Sequence, residues 1–241
     1  MAIKTFAEAA AELNALFCAV FTGTWATIAQ NAASSPATNL YFSLHTANPG
    51  AAGSQNTSEV AYTNYARVAV ARTTSGFTVT TGSGTTLSNV ANAAAISFPA
   101  CGATGATAAW WGVGLSSTGA GTLLAYGPLA ASGFPVPFTC TLASPGVLTA
   151  YGYTPAVNDN VSVYQLPGGE LLPTGLTEGT EYYVGTAPGG QTLTLSTTAS
   201  NANPVNTTST GSGFLYKMSP LAISSGITPT VAAGAAVFSV G

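Results

Sequence analysis

The sequence predicts a mainly β protein: a β-sandwich or jelly-roll-like domain with one N-terminal helix and a small inserted β domain. Three observations predict it. Short Val-, Thr- and aromatic-rich runs recur along the chain, bounded by Gly, Pro and Ser. After residue 38 no segment with helical spacing separates them, which points to sheets packed face to face or closed, not to a parallel α/β sheet. Only residues 3–21 repeat their apolar side chains at helical spacing, through Ile3, Phe6, Ala10, Leu13, Phe17 and Val20.

The elements follow in order. Thr5 and Glu8 have the offset of a capping box, so the helix is expected to start near Thr5. Its apolar face, including Phe6, Leu13 and Phe17, must be covered, either by the protein's own β core or by a neighbouring subunit. Residues 22–38 read as a loop with Trp25 and Ile28 as anchors. NLYFSLHT then alternates as a strand and stops at Asn48-Pro49-Gly50, a turn signal. A polar excursion, AAGSQNTSEVAYTN, precedes the strand candidates YARVAVART, GFTVTT, AISFPA, AAWWGVGLSS and TLLAYGPL.

From residue 138 to 216 the chain holds four acidic residues and no basic one, with a strand rhythm of its own: FTCTLAS, GVLTAYGY, NVSVYQL, TEYYVGTA, QTLTLSTT and GFLYK. The last segment, AISSGITPTVAAGAAVFSVG, returns to paired strands. Two domains are therefore expected. One is discontinuous, residues 1–137 plus 217–241. The other, 138–216, is inserted between neighbouring strands, where both ends meet at an exposed loop.

Charge restricts function. Charged residues make up 5% of the chain, against about 25% in an average soluble domain, and Ser and Thr take their place. Surface charge keeps monomers soluble and stops open sheet edges from pairing. A chain this poor in charge is expected to have much of its surface covered by companions, as a homo-oligomer within a larger assembly. Four basic residues cannot form the phosphate-neutralising stripe that nucleic-acid binding needs. No apolar run reaches the ~20 residues that span a bilayer, and Glu8 and Glu12 interrupt what would be the core of a signal peptide. Neither nucleic acid nor membrane is expected as a partner. Cys18, Cys101 and Cys140 are too few and scattered for a disulfide framework or a zinc site. They are expected to be buried thiols of a protein made in a reducing bacterial cytoplasm.

Candidate chemistry is sparse, and no catalytic, cofactor-binding or metal residue is assigned. His45 is the one histidine, at a strand end before a turn, and reads as a structural residue bonded to turn backbone. Glu170, Glu178 and Glu181 are the local carboxylates of the insert and read as solvated side chains, not as a glycosidase pair. Asn158-Asp159-Asn160 reads as a turn, not a calcium loop. Gly-rich pieces such as Thr81–Thr85 lack the following helix that phosphate binding uses. Trp110 and Trp111 are adjacent, so alternation is expected to send one into the core and the other out, to an interface or the helix. Arg67 and Arg72 fall on opposite faces of one strand, where at least one can bridge to Glu59 or to a neighbouring subunit. The candidate interface set is thus Trp110, Trp111, Arg67, Arg72, Phe6, Leu13 and Phe17.

Two stretches resemble known proteins. Residues 40–72 carry His45-Thr46-Ala47-Asn48-Pro49-Gly50, Glu59-Val60 and Tyr65-Ala66-Arg67. With Trp110-Trp111-Gly112-Val113, Leu123-Leu124-Ala125-Tyr126-Gly127 and Ile227-Thr228-Pro229-Thr230, they resemble small structural proteins of tailed bacteriophages, with Asn48 where those have Asp. Leu172-Pro173-Thr174-Gly175-Leu176 and Tyr182-Tyr183-Val184 in the insert resemble a β module recurrent in phage tail and fibre proteins. The resemblance implies a non-enzymatic virion protein on the outer surface of the particle, in contact with the major capsid protein or tail proteins. Without a long repetitive shaft, a capsid decoration (cement) protein is the expected role. A tail-fibre or baseplate-attached component, binding host surface glycans, is the alternative.

Overall fold

The computed structural model describes residues 6–20, 37–83, 88–165 and 170–240. The chain divides into two units, Met1–Leu129 with Leu221–Gly241, and Ala130–Pro220. It is mainly β.

The first unit contains helix α1 (Phe6–Phe17) and strands β1 (Asn39–His45), β2 (Val68–Ala71), β3 (Phe77–Thr80), β4 (Ser88–Asn92), β5 (Ile96–Ser97), β6 (Ala106–Ala108), β7 (Trp110–Gly114) and β8 (Leu123–Pro128). The second unit contributes β9 (Val136–Cys140), β10 (Val147–Ala150), β11 (Asn160–Tyr164), β12 (Glu181–Gly189), β13 (Thr192–Ser196) and β14 (Gly211–Lys217). The chain then returns to the first unit with β15 (Leu221–Ile223), β16 (Thr230–Val231) and β17 (Val237–Val240).

The first unit holds a four-stranded sheet, β2-β1-β7-β8, and a three-stranded sheet, β17-β4-β3. Two short pairs, β15-β6 and β16-β5, complete it. The larger sheets share one core. Phe42 of β1 stacks on Phe77 of β3 at 6.0 Å and lies 6.3 Å from Trp111. Phe17 of α1 meets Phe77 edge-on at 5.4 Å. Leu13 and Phe17 are 1% and 2% exposed, so of the two expected covers for the helix, its own β core takes these residues. The side chain of Phe6, the Thr5/Glu8 cap, Trp25 and Ile28 lie outside the described residues.

The helix ends earlier than the apolar spacing predicts. Ala19 adopts a left-handed φ of 55°, and the Val20 amide turns back to the Asn14 carbonyl. Arg72 then donates to the Leu16 carbonyl at 2.6 Å and to the Ala15 carbonyl. These are orphan acceptors at the negative end of the helix dipole, where a cation is stabilising. Arg72 is thus a helix cap within its own unit. Strand β4 has no counterpart among the expected strands, because SNVAN carries turn residues. It forms because β3 and β17 pair it on both sides.

In the second unit all six strands close into a barrel, β10-β13-β12-β11-β14-β9. Val161, Val163, Val184, Leu193, Leu195 and Leu215 fill it and are fully buried. Its ends differ from the 138–216 boundaries that the charge shift draws: both fall inside paired strands, since Val136 pairs with Leu215 and Val161 with Lys217. Ladder hydrogen bonds, not charge composition, mark where this unit begins and ends. All three cysteines are buried and unbridged.

Candidate functional site

The residues that carry the first resemblance meet in space on one face of the four-stranded sheet. In β1 and β7 the core face is made by Phe42, Leu44, Trp111 and Val113. The opposite face carries Ser43 beside Gly112 and His45 beside Trp110. That second face does not look into water. The polar excursion is hydrogen-bonded to it through Thr57 and Gln55, and both tryptophans are buried, Trp110 at 0% and Trp111 at 4% exposure. The expectation that one of them faces outward is corrected here. Alternation does set them on opposite faces, but this sheet is covered on both.

The loop is held by buried polar side chains. His45 is fully buried. Its Nδ1 lies 2.8 Å from the Thr57 carbonyl, which can only accept, so Nδ1 carries the proton and Nε2 accepts from the Ser43 hydroxyl at 2.8 Å. Burial pushes the imidazole pKa down and favours this neutral form, against a smaller upward pull from the Thr57 bond. Gly112 makes room for the pair: a Cβ there would sit 2.6 Å from His45 Nε2 and 2.8 Å from Ser43 Oγ. Gln55, also fully buried, donates to the Tyr41 carbonyl and accepts from the Ser116 amide at 2.8 Å.

Farther along the loop, Arg67 and Glu59 form a two-pronged ion pair, with Nε to Oε1 and Nη2 to Oε2 both at 2.7 Å. The Arg67 side chain is only 2% exposed. Its remaining donors reach the carbonyls of Ser116 at 2.9 Å and Gly119 at 2.7 Å, in the β7–β8 connection. The Tyr65 hydroxyl donates to Glu59 Oε1 at 2.7 Å and accepts from the Leu44 amide. Burial raises the Tyr65 pKa far above the ordinary phenol range. The Glu59 bond raises the pKa of Arg67. The expected bridge from one arginine to Glu59 is therefore present, and it is internal. The sequence reading missed Ser43, Gln55 and Gly112; only the alternation of β1 could have signalled Ser43 as the neighbour of His45.

Chemically, this network ties. Ser43 and His45 have no exposed surface, and the imidazole's far nitrogen is bonded to a carbonyl, not a carboxylate. The pair joins strand to loop and presents no face to a substrate.

In the barrel, Asn158 adopts φ 68° and Asp159 bonds back to the Ala156 amide at 3.0 Å, the turn that the sequence predicts. Asp159 also accepts from Lys217 Nζ at 2.8 Å and from the Tyr153 hydroxyl. Desolvation raises its pKa, but the bonds from Lys217, Tyr153 and Ala156 outweigh it, and the carboxyl is held below its usual range. Glu178 is exposed and accepts from the Gln165 amide at 3.2 Å, whereas half-buried Glu181 faces Asn160 Nδ2 at 3.5 Å. The two carboxylates are thus anchored at different ends of β11. Among the described residues no group of three or more His, Cys, Asp or Glu side chains is placed to hold a metal. No described helix is long and apolar enough to cross a membrane.

Residues 18–133 match the protein family described as Podophage GP4 fiber I protein gp80. No curated protein and no solved structure matches the chain. The matched span contains β1 to β8 and every residue of the His45–Gln55–Glu59–Tyr65–Arg67 network, while almost all of the barrel lies beyond it. With the phage-type strand motifs gathered into this lock, the match of a phage fibre family across the sheet that it fastens supports a structural protein of a tailed-bacteriophage virion.

Proposed function

We propose that the protein is a non-enzymatic fibre component, or tail-attached part, on the outer surface of the virion. The single observation that carries this reading is the family match across residues 18–133, whose description names a fibre protein. The geometry is consistent with it. The matched region spends its scarce charges internally: Arg67 on Glu59 and Arg72 on the end of α1. Little charge is left to keep the surface apart from other proteins. Leu16, Leu115, Ile227 and Val237 of the same unit are exposed. Such a surface is covered in service, by further copies of this chain and by tail proteins of the same particle.

Capsid decoration is the second reading, to which the same charge-poor surface is suited. In that role the contacts would bridge capsid subunits, and repetition around the shell would multiply a modest affinity. The deciding experiment is immunogold labelling of purified particles with antibody to this protein, paired with a deletion phage. Labelled tails, with intact heads and lost adsorption on deletion, are expected. Labelled heads that become fragile to heat without the protein would overturn the fibre reading in favour of decoration. Retained lytic activity in a Glu178→Gln/Glu181→Gln variant is expected of a protein without catalytic carboxylates.

A further inference from the structure

Beside β2, an edge strand of the four-stranded sheet, lies a groove of about 260 Å³ whose other wall is the stretch 94–97 around β5. One water needs only about 10–15 Å³, so the groove seats a longer occupant. Its lining is Val, Ala, Ile, Ser and Gly alone, without a charge or a ring to orient a small molecule. The directional groups are main-chain. Arg72 donates its amide to the Thr38 carbonyl, and the register then bonds Val70 to Leu40 and Val68 to Phe42. Ala69 and Ala71 alternate with these bonded positions, so their amides and the Ala69 carbonyl point away from β1. Among the described residues these three groups have no hydrogen-bond partner. Across the groove, Phe98 donates to the Pro229 carbonyl, which sets Ile96 on β16 and turns the Ser97 backbone the other way. Both walls are therefore open strand edges. Val68 and Val70, which pack on the core of the unit, are left half-buried along the groove.

We propose that an extended strand of a second copy of this chain lies in this groove and pairs with β2. The inference rests on the reading that the surface is covered by further copies, and it names where two copies meet. An extended chain answers both features of the groove. Its amides and carbonyls face one side at every second residue, as the free groups of Ala69 and Ala71 do. Its side chains on one face would cover Val68 and Val70. Soluble proteins guard such an edge with Lys, Pro or a bulge. β2 reads VAVA, and its register to β1 is unbroken. The flanking Arg67 and Arg72 are engaged inside the unit, on Glu59 and on the end of α1. The occupant must itself be uncharged, because nothing in the lining answers a charge. A second copy meets that requirement, since charged residues make up only 5% of the chain and its strand segments are rich in Val, Thr and Ala. A four-residue edge offers few main-chain bonds and less contact than a stable dimer needs. Pairing is therefore weak in dilute solution and is held in the particle by repetition.

The test uses the full chain, by sedimentation and by amide hydrogen exchange in NMR over a range of concentrations. The mean mass is expected to rise above 23.8 kDa as concentration increases. Exchange at the Ala69 and Ala71 amides is expected to slow about tenfold over the same range. Ala69→Pro removes one outward amide and leaves the bonded positions Val68 and Val70 in place. Ala69→Lys keeps the amide and adds a guarding charge, and it answers the question if the proline variant does not fold. Each is expected to raise the concentration needed for association about tenfold. The proposal is overturned if the parent stays monomeric at the highest concentration reached, or if it associates while these two amides exchange as before. It is equally overturned if the folded variants associate as the parent does. Protection of the two amides that appears only when another tail protein is added would overturn the second copy as the occupant. Labelled tails with a monomeric parent would sink this inference alone. Labelled heads with the pairing intact would sink the fibre reading alone.

Discussion

Replacing Glu59 by Gln tests whether the Glu59–Arg67 pair locks the first unit. The substitution keeps shape and one acceptor oxygen but removes the charge opposite a guanidinium whose side chain is 2% exposed. Breaking a buried pair by neutralising one partner costs about 3–5 kcal/mol. Arg67 keeps the Ser116 and Gly119 carbonyls, and Glu59 itself is 16% exposed. These reduce the expected loss to about 2–3 kcal/mol. The three tryptophans, Trp25, Trp110 and Trp111, all precede Leu129, so tryptophan fluorescence in urea reports the first unit apart from the barrel. With a slope of about 2–3 kcal/mol per molar, the midpoint should fall by about 1 M. In a double-mutant cycle with Arg67→Met, the two losses should fall short of additivity by about 2 kcal/mol. A midpoint within about 0.3 M of the parent, or strictly additive losses, would refute the claim that this pair holds the loop to the sheet.

Three further outcomes are expected. Gly112→Ala places a methyl 2.6 Å from His45 Nε2 and 2.8 Å from Ser43 Oγ, so the same fluorescence transition should shift down by about 1–3 kcal/mol. His45, whose folded pKa is lowered by burial, should make the first unit pH-sensitive. Below about pH 6.5 the unfolded state takes up a proton that the folded state resists. Stability is then fully present above that pH and declines as pH falls toward the depressed folded value; urea midpoints measured across this range check it, and a flat profile would argue against the buried neutral imidazole. Ala19→Gly relieves a left-handed φ of 55° at the end of α1 and should raise the thermal midpoint, by about 0.5–1 kcal/mol in stability.

Much of the fold was legible because strands and turns announce themselves locally. NLYFSLHT, AAWWGVGLSS and NVSVYQL all became strands near their expected positions, since alternation and Gly/Pro punctuation are properties of neighbouring residues. SNVAN did not read as a strand, because its pairing energy comes from β3 and β17, which lie elsewhere in the chain. The candidate interface residues show the same divide. Arg67, Arg72, Leu13, Phe17 and both tryptophans stood out by their rarity or spacing, yet their surroundings are found by folding: Glu59, the end of α1 and, for the apolar side chains, a buried interior.

Composition and strand alternation by themselves established a mainly β, charge-poor protein, and its short motifs resemble those of phage structural proteins, because residue counts, alternation and short motifs survive without any knowledge of contacts. Tertiary structure alone decided that six strands close a barrel and that the second face of the sheet is buried. It alone decided that Arg67 closes on Glu59 and that His45 is shared between Ser43 and Thr57. Closure, burial and hydrogen-bond satisfaction are relations between residues distant in the chain, and only the folded backbone brings them within a few ångströms.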